Sequence, residues 1–317
     1  MHLIIAEQHD AAKRIAQILA GGKPRSTRVA GVEAFQFDDK VVMGLSGHIV
    51  GVDYPPGYNN WQKVDCKELI RAEIVVRPIQ EKIISALKSL GREADRVTVA
   101  TDYDREGELI GVEALKIVQE AKPRLKADRV RYSAIVKDEI IKAFQDSGAV
   151  DYDLAASGEA RQIIDLVWGA ALTRYISLTS GRLGKEFLSV GRVQSPTLAL
   201  IVDREKEIQS FVPQSYWEIF ADLEKELRVQ HANGRIWSKD EVDGIISRLG
   251  PEAVIRSIES KKRIDRPPTP FDTTNFIAAA SGIGLSAANA MRIAEWLYTN
   301  GYISYPRTDN TVYPPSI

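Results

Sequence analysis

The fold of this chain is decided by the stretch Val97-Thr98-Val99-Ala100-Thr101-Asp102-Tyr103-Asp104-Arg105-Glu106-Gly107-Glu108. An apolar, β-branched run ends in an acidic turn, and apolar residues at helical spacing follow from Leu109 to Val118. This order predicts a buried strand, a tight loop at its carboxyl end and a helix packed behind it.

The acidic turn predicts a metal site. Asp102, Asp104 and Glu106 are spaced two apart, so their carboxylates can converge on one point. Converging carboxylates are costly without a cation, and their hard oxygens suggest magnesium. An alternative is an acidic helix start, in which Asp and Glu complement the helix dipole. The position of the whole set at a strand end favours the metal interpretation.

A second carboxylate occupies the same kind of position near the amino terminus. Residues 2–6 are an apolar β run ending at Glu7, and a helical pattern follows from Ala11 to Leu19. The carboxyl ends of parallel strands gather along one edge of a sheet, where sites form. Glu7 is therefore expected to join the Asp102 cluster.

The remaining pattern changes character near residue 150. Before it, strands alternate with helices, which predicts a Rossmann-like α/β domain with a mostly parallel sheet, including a strand at residues 129–132. After it, long helices are predicted at residues 154–178 and 196–208, followed by strand-like runs. Beyond a proline-rich linker at residues 265–270, Asp272 and Ser286 are predicted to cap two helices, and residues 302–305 to form a short strand.

Composition limits the classes of function. The net charge is −1 and the sequence pI about 6.5, which argues against a uniformly basic nucleic-acid binder but leaves room for a local groove. The single cysteine, Cys66, excludes a disulfide framework or a multi-cysteine zinc site within these residues. No apolar stretch reaches membrane-spanning length, and the start lacks the features of a signal peptide. We expect a cytoplasmic protein with no membrane partner.

Four separated stretches of the sequence carry motifs. Glu7 with Asp102-Tyr103-Asp104-Arg105-Glu106-Gly107-Glu108 resembles the TOPRIM signature, which topoisomerases share with primases and some nucleases. The other stretches are Ala160-Arg161-Gln162-Ile163-Ile164-Asp165-Leu166-Val167-Trp168-Gly169, Ser189-Val190-Gly191-Arg192-Val193-Gln194-Ser195-Pro196-Thr197-Leu198 and Gly301-Tyr302-Ile303-Ser304-Tyr305-Pro306-Arg307-Thr308-Asp309. Together the four stretches resemble the type IA DNA topoisomerases, of the topoisomerase III-like or archaeal kind, and the last resembles the segment that carries the active-site tyrosine of this family.

The resemblance implies a division of the chain into four parts. Residues 1–148 would be the TOPRIM domain and residues 149–211 a mainly α domain lining the DNA groove. Residues 212–268 would be a β-containing arch segment. Residues 269–317 would be the start of a helix-turn-helix-like domain that carries the tyrosine, cut short by the end of the sequence.

The resemblance also implies a reaction. Tyr305 would attack one DNA strand, form a transient 5′-phosphotyrosine link and allow strand passage before the freed 3′-hydroxyl reseals the break without ATP. Tyrosine is a weak nucleophile near neutral pH, with a pKa of about 10, and needs help with its proton and with transition-state charge. Arg307 would reach the phosphate, because positions 305 and 307 share a face of a strand.

Further roles follow from the same resemblance. Glu7 would give a proton to the leaving 3′-oxygen. Glu7 would also be a ligand, with Asp102, Asp104 and Glu106, of a Mg²⁺ ion that positions the cleaved end for religation. The strand would be fixed, mostly through its phosphates, by a larger set: His48, Arg161, Gln162, Asp165, Ser189, Val190, Gly191, Arg192, Val193, Gln194, Ser195 and Arg307. The substrate would be single-stranded segments of duplex DNA near the nucleoid, with a helicase as candidate partner.

The sequence departs from the family pattern in two ways, and these departures define an alternative function. Gln8 stands where the topoisomerase III branch usually has Lys after the first Glu, and Lys13 is the candidate to compensate. The chain also stops shortly after Asp309, whereas family members close a ring of several hundred residues. The alternative function is therefore an inactive fragment that only binds single-stranded DNA. A primase or nuclease is disfavoured because those enzymes have no use for the tyrosine segment.

Overall fold

The computed structural model describes residues 1–313, apart from the side chain of Lys225. The described part of the chain forms two compact units, residues 1–194 with 268–313, and residues 195–267. No single helix in the described part of the chain is long and apolar enough to cross a membrane, and two short helices reach that composition only as a pair bent by 118°.

The first unit contains eight strands and most of the helices. Its strands are β1 (His2–Ala6), β2 (Arg25–Val29), β3 (Val32–Phe37), β4 (Lys40–Gly44), β5 (Val50–Asp53), β6 (Val75–Pro78), β7 (Arg96–Ala100) and β8 (Lys126–Arg129). Its helices are α1 (His9–Ala20), α2 (Cys66–Leu69), α3 (Glu81–Glu93), α4 (Arg105–Ala121), α5 (Lys137–Gln145), α6 (Tyr152–Thr179), and, beyond the second unit, α9 (Thr273–Gly282) and α10 (Ala287–Thr299).

Six strands form one sheet in the order β2-β3-β4-β1-β7-β8. Strand β1 pairs in parallel with β4 and β7, and β7 pairs in parallel with β8, whereas β2, β3 and β4 form an antiparallel meander at the other edge. The predicted α/β fold with a mostly parallel sheet is confirmed. The strand predicted at residues 129–132 lies earlier, at Lys126–Arg129, and the Val130 amide makes the last ladder bond, to the carbonyl of Val99.

Both faces of the sheet are covered, which is why its central strands β1 and β7 are mostly apolar after their first residues. Along β1, Leu3 and Ile5 face a core that includes residues of α3 and α4, whereas Ile4 and Ala6 face a core built with α1 and α5. Tyr298 of α10 is buried in the second core and Tyr305 packs against it. The sheet face under α1 therefore fixes the position of the tyrosine segment.

Helix α6 crosses α4 at a glycine. A Cβ on Gly158 would lie 2.8 Å from the carbonyl oxygen of Arg105 and 3.2 Å from Cβ of Leu109, so only glycine allows this approach. Asp151 caps α6 by accepting a hydrogen bond from the Leu154 amide. This crossing brings the first half of α6 beside the start of α4.

The predicted helix caps of the tyrosine segment are confirmed, but its strand is not. Asp272 accepts from the Asn275 amide and Ser286 from the Asn289 amide. Residues 302–305, predicted as a strand, form turns and bends instead. Gly301 has a φ of 77°, and a Cβ there would lie 2.8 Å from the carbonyl oxygen of Ile135. The segment is anchored by single contacts, such as the Tyr305 amide to the Ser133 carbonyl, rather than by a strand ladder.

The second unit contains helix α7 (Gln194–Ser210), the antiparallel pair β9 (Trp217–Leu223) and β10 (Leu227–Ile236), and helix α8 (Lys239–Ile246). Ser238 caps α8. Residue 194 begins α7 but belongs by contacts to the first unit. The four-part division of the chain stays a prediction, and its last four residues lie outside the described range.

Candidate active site

Two neighbouring parallel strands deliver the first carboxylates. Ala6 of β1 pairs with Ala100 of β7, so Glu7 and Asp102 follow at the same edge of the sheet. The amide of Asp102 donates to Oε2 of Glu7 at 3.3 Å. Glu7 therefore joins the acidic turn, as the strand pattern predicts.

Two tyrosines bind the acidic turn from the far end of the sequence. The hydroxyl of Tyr305 donates to Oδ2 of Asp104 at 2.5 Å, and the hydroxyl of Tyr298 donates to Oδ1 of Asp102 at 2.9 Å. The other oxygen of Asp104 caps α4 by accepting from the Gly107 amide at 2.7 Å. The two tyrosine rings meet edge to face, with centroids 5.2 Å apart. The structure thus joins the two segments that the resemblance places in one active site.

Glu106 points away from these groups. Its carboxylate lies 3.2 Å from Arg161 and 3.3 Å from Nε2 of His48, whose Nδ1 lies 3.1 Å from the buried carboxylate of Glu113. Gln162 also contacts the imidazole. The predicted four-residue metal set is therefore not assembled around one point, because α6 supplies Glu106 with a cation of its own.

The donor chemistry nevertheless fits a divalent cation. Among residues 1–313 no three His, Cys, Asp or Glu side chains are arranged as a complete metal site. Burial, with repulsion from Asp102 and Asp104, raises the pKa of Glu7 to about 8. Burial also raises the pKa of Asp102 to about 6, with Asp104 adding to the rise. Carboxylates that repel each other in this way are what a hard cation would stabilise.

These pKa shifts predict how stability depends on pH without metal. Because folding raises the pKa of Glu7 from 4.5 to about 8 and that of Asp102 from 3.8 to about 6, the stability these groups contribute is full at low pH. It is lost as pH rises from about 4 to about 8. In EDTA, we expect the melting temperature to fall over this range, less steeply in Glu7→Gln than in the wild type.

Magnesium should reverse this trend, because metal binding requires deprotonated carboxylates. We expect the rise in melting temperature on adding Mg²⁺ to be larger at pH 8.5 than at pH 6, measured by thermal melts followed by circular dichroism. Exposed Glu93→Gln is the matched control and should keep the wild-type pH slope. A pH slope in Glu7→Gln equal to that of the wild type would contradict the prediction.

The same surroundings keep Tyr305 protonated at rest. Burial, the hydrogen bond to Asp104 and the charges of Asp102 and Glu7 raise the pKa of Tyr305 well above its usual range. Burial and Asp102 act in the same direction on the pKa of Tyr298. A reaction at Tyr305 therefore needs a group that accepts its proton, and Asp104 Oδ2 is already in hydrogen-bonding contact with it.

Arg307 lies near this centre, although not by sharing a strand face with Tyr305. Its guanidinium pairs with Glu295 of α10 at 3.1 Å, and its charge acts on Glu7. The side chain is 57% exposed, which leaves it accessible to an anionic ligand. Lys13 is exposed on α1 and its charge acts on Glu33, and its compensation for Gln8 stays a prediction.

The predicted DNA-binding residues fall into two groups. His48 and Arg161 contact Glu106, and Gln162 contacts the His48 ring. One turn further along α6, Asp165 forms an ion pair with Arg192. The second group lies between α6 and the start of α7. In it the Val190 amide donates to Thr173 and the Ser189 hydroxyl donates to Gln194. Gly191 and Val193 lie between Val190 and Gln194 in the sequence. Ser195 belongs to the second unit.

Several residues of the site are not predicted from the sequence. Tyr298 and Glu295 bind the predicted residues Asp102 and Arg307, and Glu113 holds His48. Glu113 carries the only available signal, an acidic residue within the apolar pattern of α4. Tyr298 and Glu295 lie on a helix whose packing against α1 cannot be read from local pattern.

Two protein families match this chain. A family described as "DNA topoisomerase" matches residues 149–317, and one described as "Toprim domain" matches residues 2–135. DNA topoisomerase 1 of Archaeoglobus fulgidus is 52% identical, over 99% of this chain and 47% of that protein. DNA topoisomerase 3-alpha of Homo sapiens is 32% identical, over 98% of this chain and 34% of that protein.

A solved structure, that of full-length topoisomerase I from Thermotoga maritima, matches with a TM-score of 0.68 at 27% identity. The match covers 99% of this chain and 50% of that one. The chain therefore spans about half the length, or less, of these relatives.

Proposed function

Since this chain belongs to the type IA family of DNA topoisomerases, we propose that it carries the cleavage centre of such an enzyme. The resemblance drawn from its motifs is confirmed at the level of the family. The observation that supports the proposal is the hydrogen bond of the Tyr305 hydroxyl, the proposed nucleophile, to Asp104 of the acidic turn, 201 residues earlier.

Cleavage is a transesterification that this arrangement supports. The Tyr305 oxygen bonds to phosphorus and the bond from phosphorus to the 3′-oxygen breaks, leaving a 5′-phosphotyrosine link and a free 3′-hydroxyl. Asp104 Oδ2 accepts the tyrosine proton along the existing hydrogen bond. Glu7, protonated near neutral pH because its pKa is about 8, gives a proton to the leaving oxygen. Resealing reverses these transfers, so no ATP is consumed.

Positive charge near the phosphate comes from Arg307. Opening of its pair with Glu295 would free the guanidinium to bind two phosphate oxygens as charge builds on them. Mg²⁺ is the expected ion at Asp102 and Asp104, joined by Glu106 once that side chain leaves Arg161 and His48. When bound, the ion supplies positive charge that holds the cleaved 5′-phosphate for religation.

The DNA strand would approach along α6. Arg161 is a cation on this helix, and Arg192, from the turn before α7, pairs with Asp165 of the same helix. On α6 beside them, Ile164 and Trp168 are 54% and 50% exposed. Cations interleaved with exposed apolar and aromatic groups suit single-stranded DNA, which binds through phosphate charge and base stacking. A cytoplasmic, nucleoid-associated location and a partner helicase stay predictions.

The proposal is tested with a suicide oligonucleotide, whose short upstream product carries the free 3′-hydroxyl and dissociates, so that religation cannot occur. We expect the protein to form a covalent adduct with its 5′-phosphate end, resistant to denaturation, and to relax negatively supercoiled plasmid with Mg²⁺ and without ATP if strand passage is retained. DNA binding without any adduct would overturn the proposal and favour a single-strand-binding fragment. An adduct without relaxation would assign cleavage, but not strand passage, to these residues.

A further inference from the structure

A cavity of about 550 Å³ lies beside Tyr305 within the first unit. Its volume is within the range of small-molecule sites in proteins, roughly 300–1,000 Å³. The walls are rich in rings: Tyr103, Phe271, Phe276, Tyr305, Pro306 and Tyr313. The cavity therefore differs from the acidic turn, whose Asp104 carboxylate accepts the hydrogen bond of the Tyr305 hydroxyl.

Two of these rings are open to a ligand. Tyr103 is 55% exposed and Phe271 is 61% exposed, although both are large aromatic side chains at a concave surface. Arg131 lies over the Tyr103 ring, with its guanidinium carbon 5.6 Å from the ring centroid. An exposed aromatic face with a cation stacked beside it is the combination that binds single-stranded nucleic acid.

The position of the cavity selects one nucleotide. If Tyr305 forms a 5′-phosphotyrosine link, as proposed above, the nucleotide just downstream of the break is bonded to the Tyr305 oxygen through its own 5′-phosphate. Only the sugar separates that phosphate from its base. Because Tyr305 and Pro306 are themselves part of the cavity wall, this base has the cavity directly within its reach.

We propose that the cavity is a subsite for the base of the first nucleotide downstream of the cleaved bond, held by stacking on Tyr103 and Phe271. The inference rests on the proposed cleavage function and adds to it the part of the substrate that this surface recognises. Stacking rings contact the face of a base rather than its edges, so the subsite accepts all four bases. Its role is to hold the downstream end while the 3′-hydroxyl is free.

The test compares suicide oligonucleotides that carry either a normal or an abasic nucleotide directly downstream of the cleaved bond. Stacking of one base on an aromatic residue is worth about 1–3 kcal/mol, so we expect the wild type to form about 5- to 140-fold less adduct with the abasic strand. In Tyr103→Leu this ratio should fall towards one, and Tyr103→Phe should restore it. Tyr302→Leu, which changes an exposed ring outside the cavity wall, should keep the wild-type ratio.

The outcomes separate the inference from the function on which it rests. Equal adduct formation by the wild type on both strands would overturn the subsite while leaving the cleavage function intact. A Tyr103→Leu ratio equal to that of the wild type would also overturn it, since the base would then be held elsewhere. Absence of any adduct with either strand would overturn the cleavage function and the subsite together.

Discussion

Tyr305→Phe is expected to reduce covalent adduct formation below detection, a loss of at least about 1,000-fold. The change removes the one atom that would bond to phosphorus. It also removes the hydrogen bond to Asp104, while the ring keeps its edge-to-face contact with Tyr298. Loss of this single hydrogen bond should cost about 1 kcal/mol of stability, and less if the freed carboxylate reaches water. The measurement is denaturing gel electrophoresis of the protein after incubation with a labelled suicide oligonucleotide.

The matched control is Tyr302→Phe, three residues earlier on the same segment. Tyr302 is 70% exposed and stacks on Trp296 rather than contacting the acidic turn. This variant should form the adduct at the wild-type level. Both variants should bind a single-stranded oligonucleotide with an affinity within about threefold of the wild type, because the α6 surface is unchanged. Persistence of the adduct in Tyr305→Phe would show that another group is the nucleophile.

Arg129→Met is expected to lower the free energy of unfolding by about 3–5 kcal/mol, because it leaves a buried charge without its partner. Arg129 and Glu108 form an ion pair at 2.7 Å with both side chains fully buried. The guanidinium also donates to the carbonyls of Thr101, Asp102 and Val130. One side chain thus ties strand β8 to the backbone of the acidic turn, and its loss should also weaken Mg²⁺ binding.

The control is Arg96→Met, which removes an arginine whose ion pair with Asp128 is exposed to solvent. Exposed pairs contribute about 0–1 kcal/mol, so this variant should unfold close to the wild type. In the double variant Arg129→Met/Glu108→Met no charge remains buried, and it should be more stable than Arg129→Met alone. Unfolding in urea, followed by far-UV circular dichroism, gives all three values. A double variant as unstable as the single one would show that the carbonyl contacts, rather than the charge, dominate.

The local elements could be predicted because their causes are local. Alternation and apolar runs define β1 and β7, and the caps Asp272 and Ser286 mark α9 and α10. The edge at which Glu7 and Asp102 meet follows from the parallel arrangement of their strands. The prediction of a short strand at residues 302–305 is wrong because a strand depends on contacts that are not local. A strand exists only through a neighbour, and this segment has only isolated backbone contacts.

The α/β core, the acidic turn and the family could be read from the sequence, because they depend on periodicity and on motifs carried by consecutive residues. The partner that each acidic residue takes could be read only from the folded chain. Because α6 packs on α4, Glu106 pairs with Arg161 and His48. Because the tyrosine segment packs on the sheet, Asp104 accepts the hydrogen bond of Tyr305. Such pairs join residues far apart in the chain, so the choice among competing cations and hydroxyls is made by the distances that packing sets.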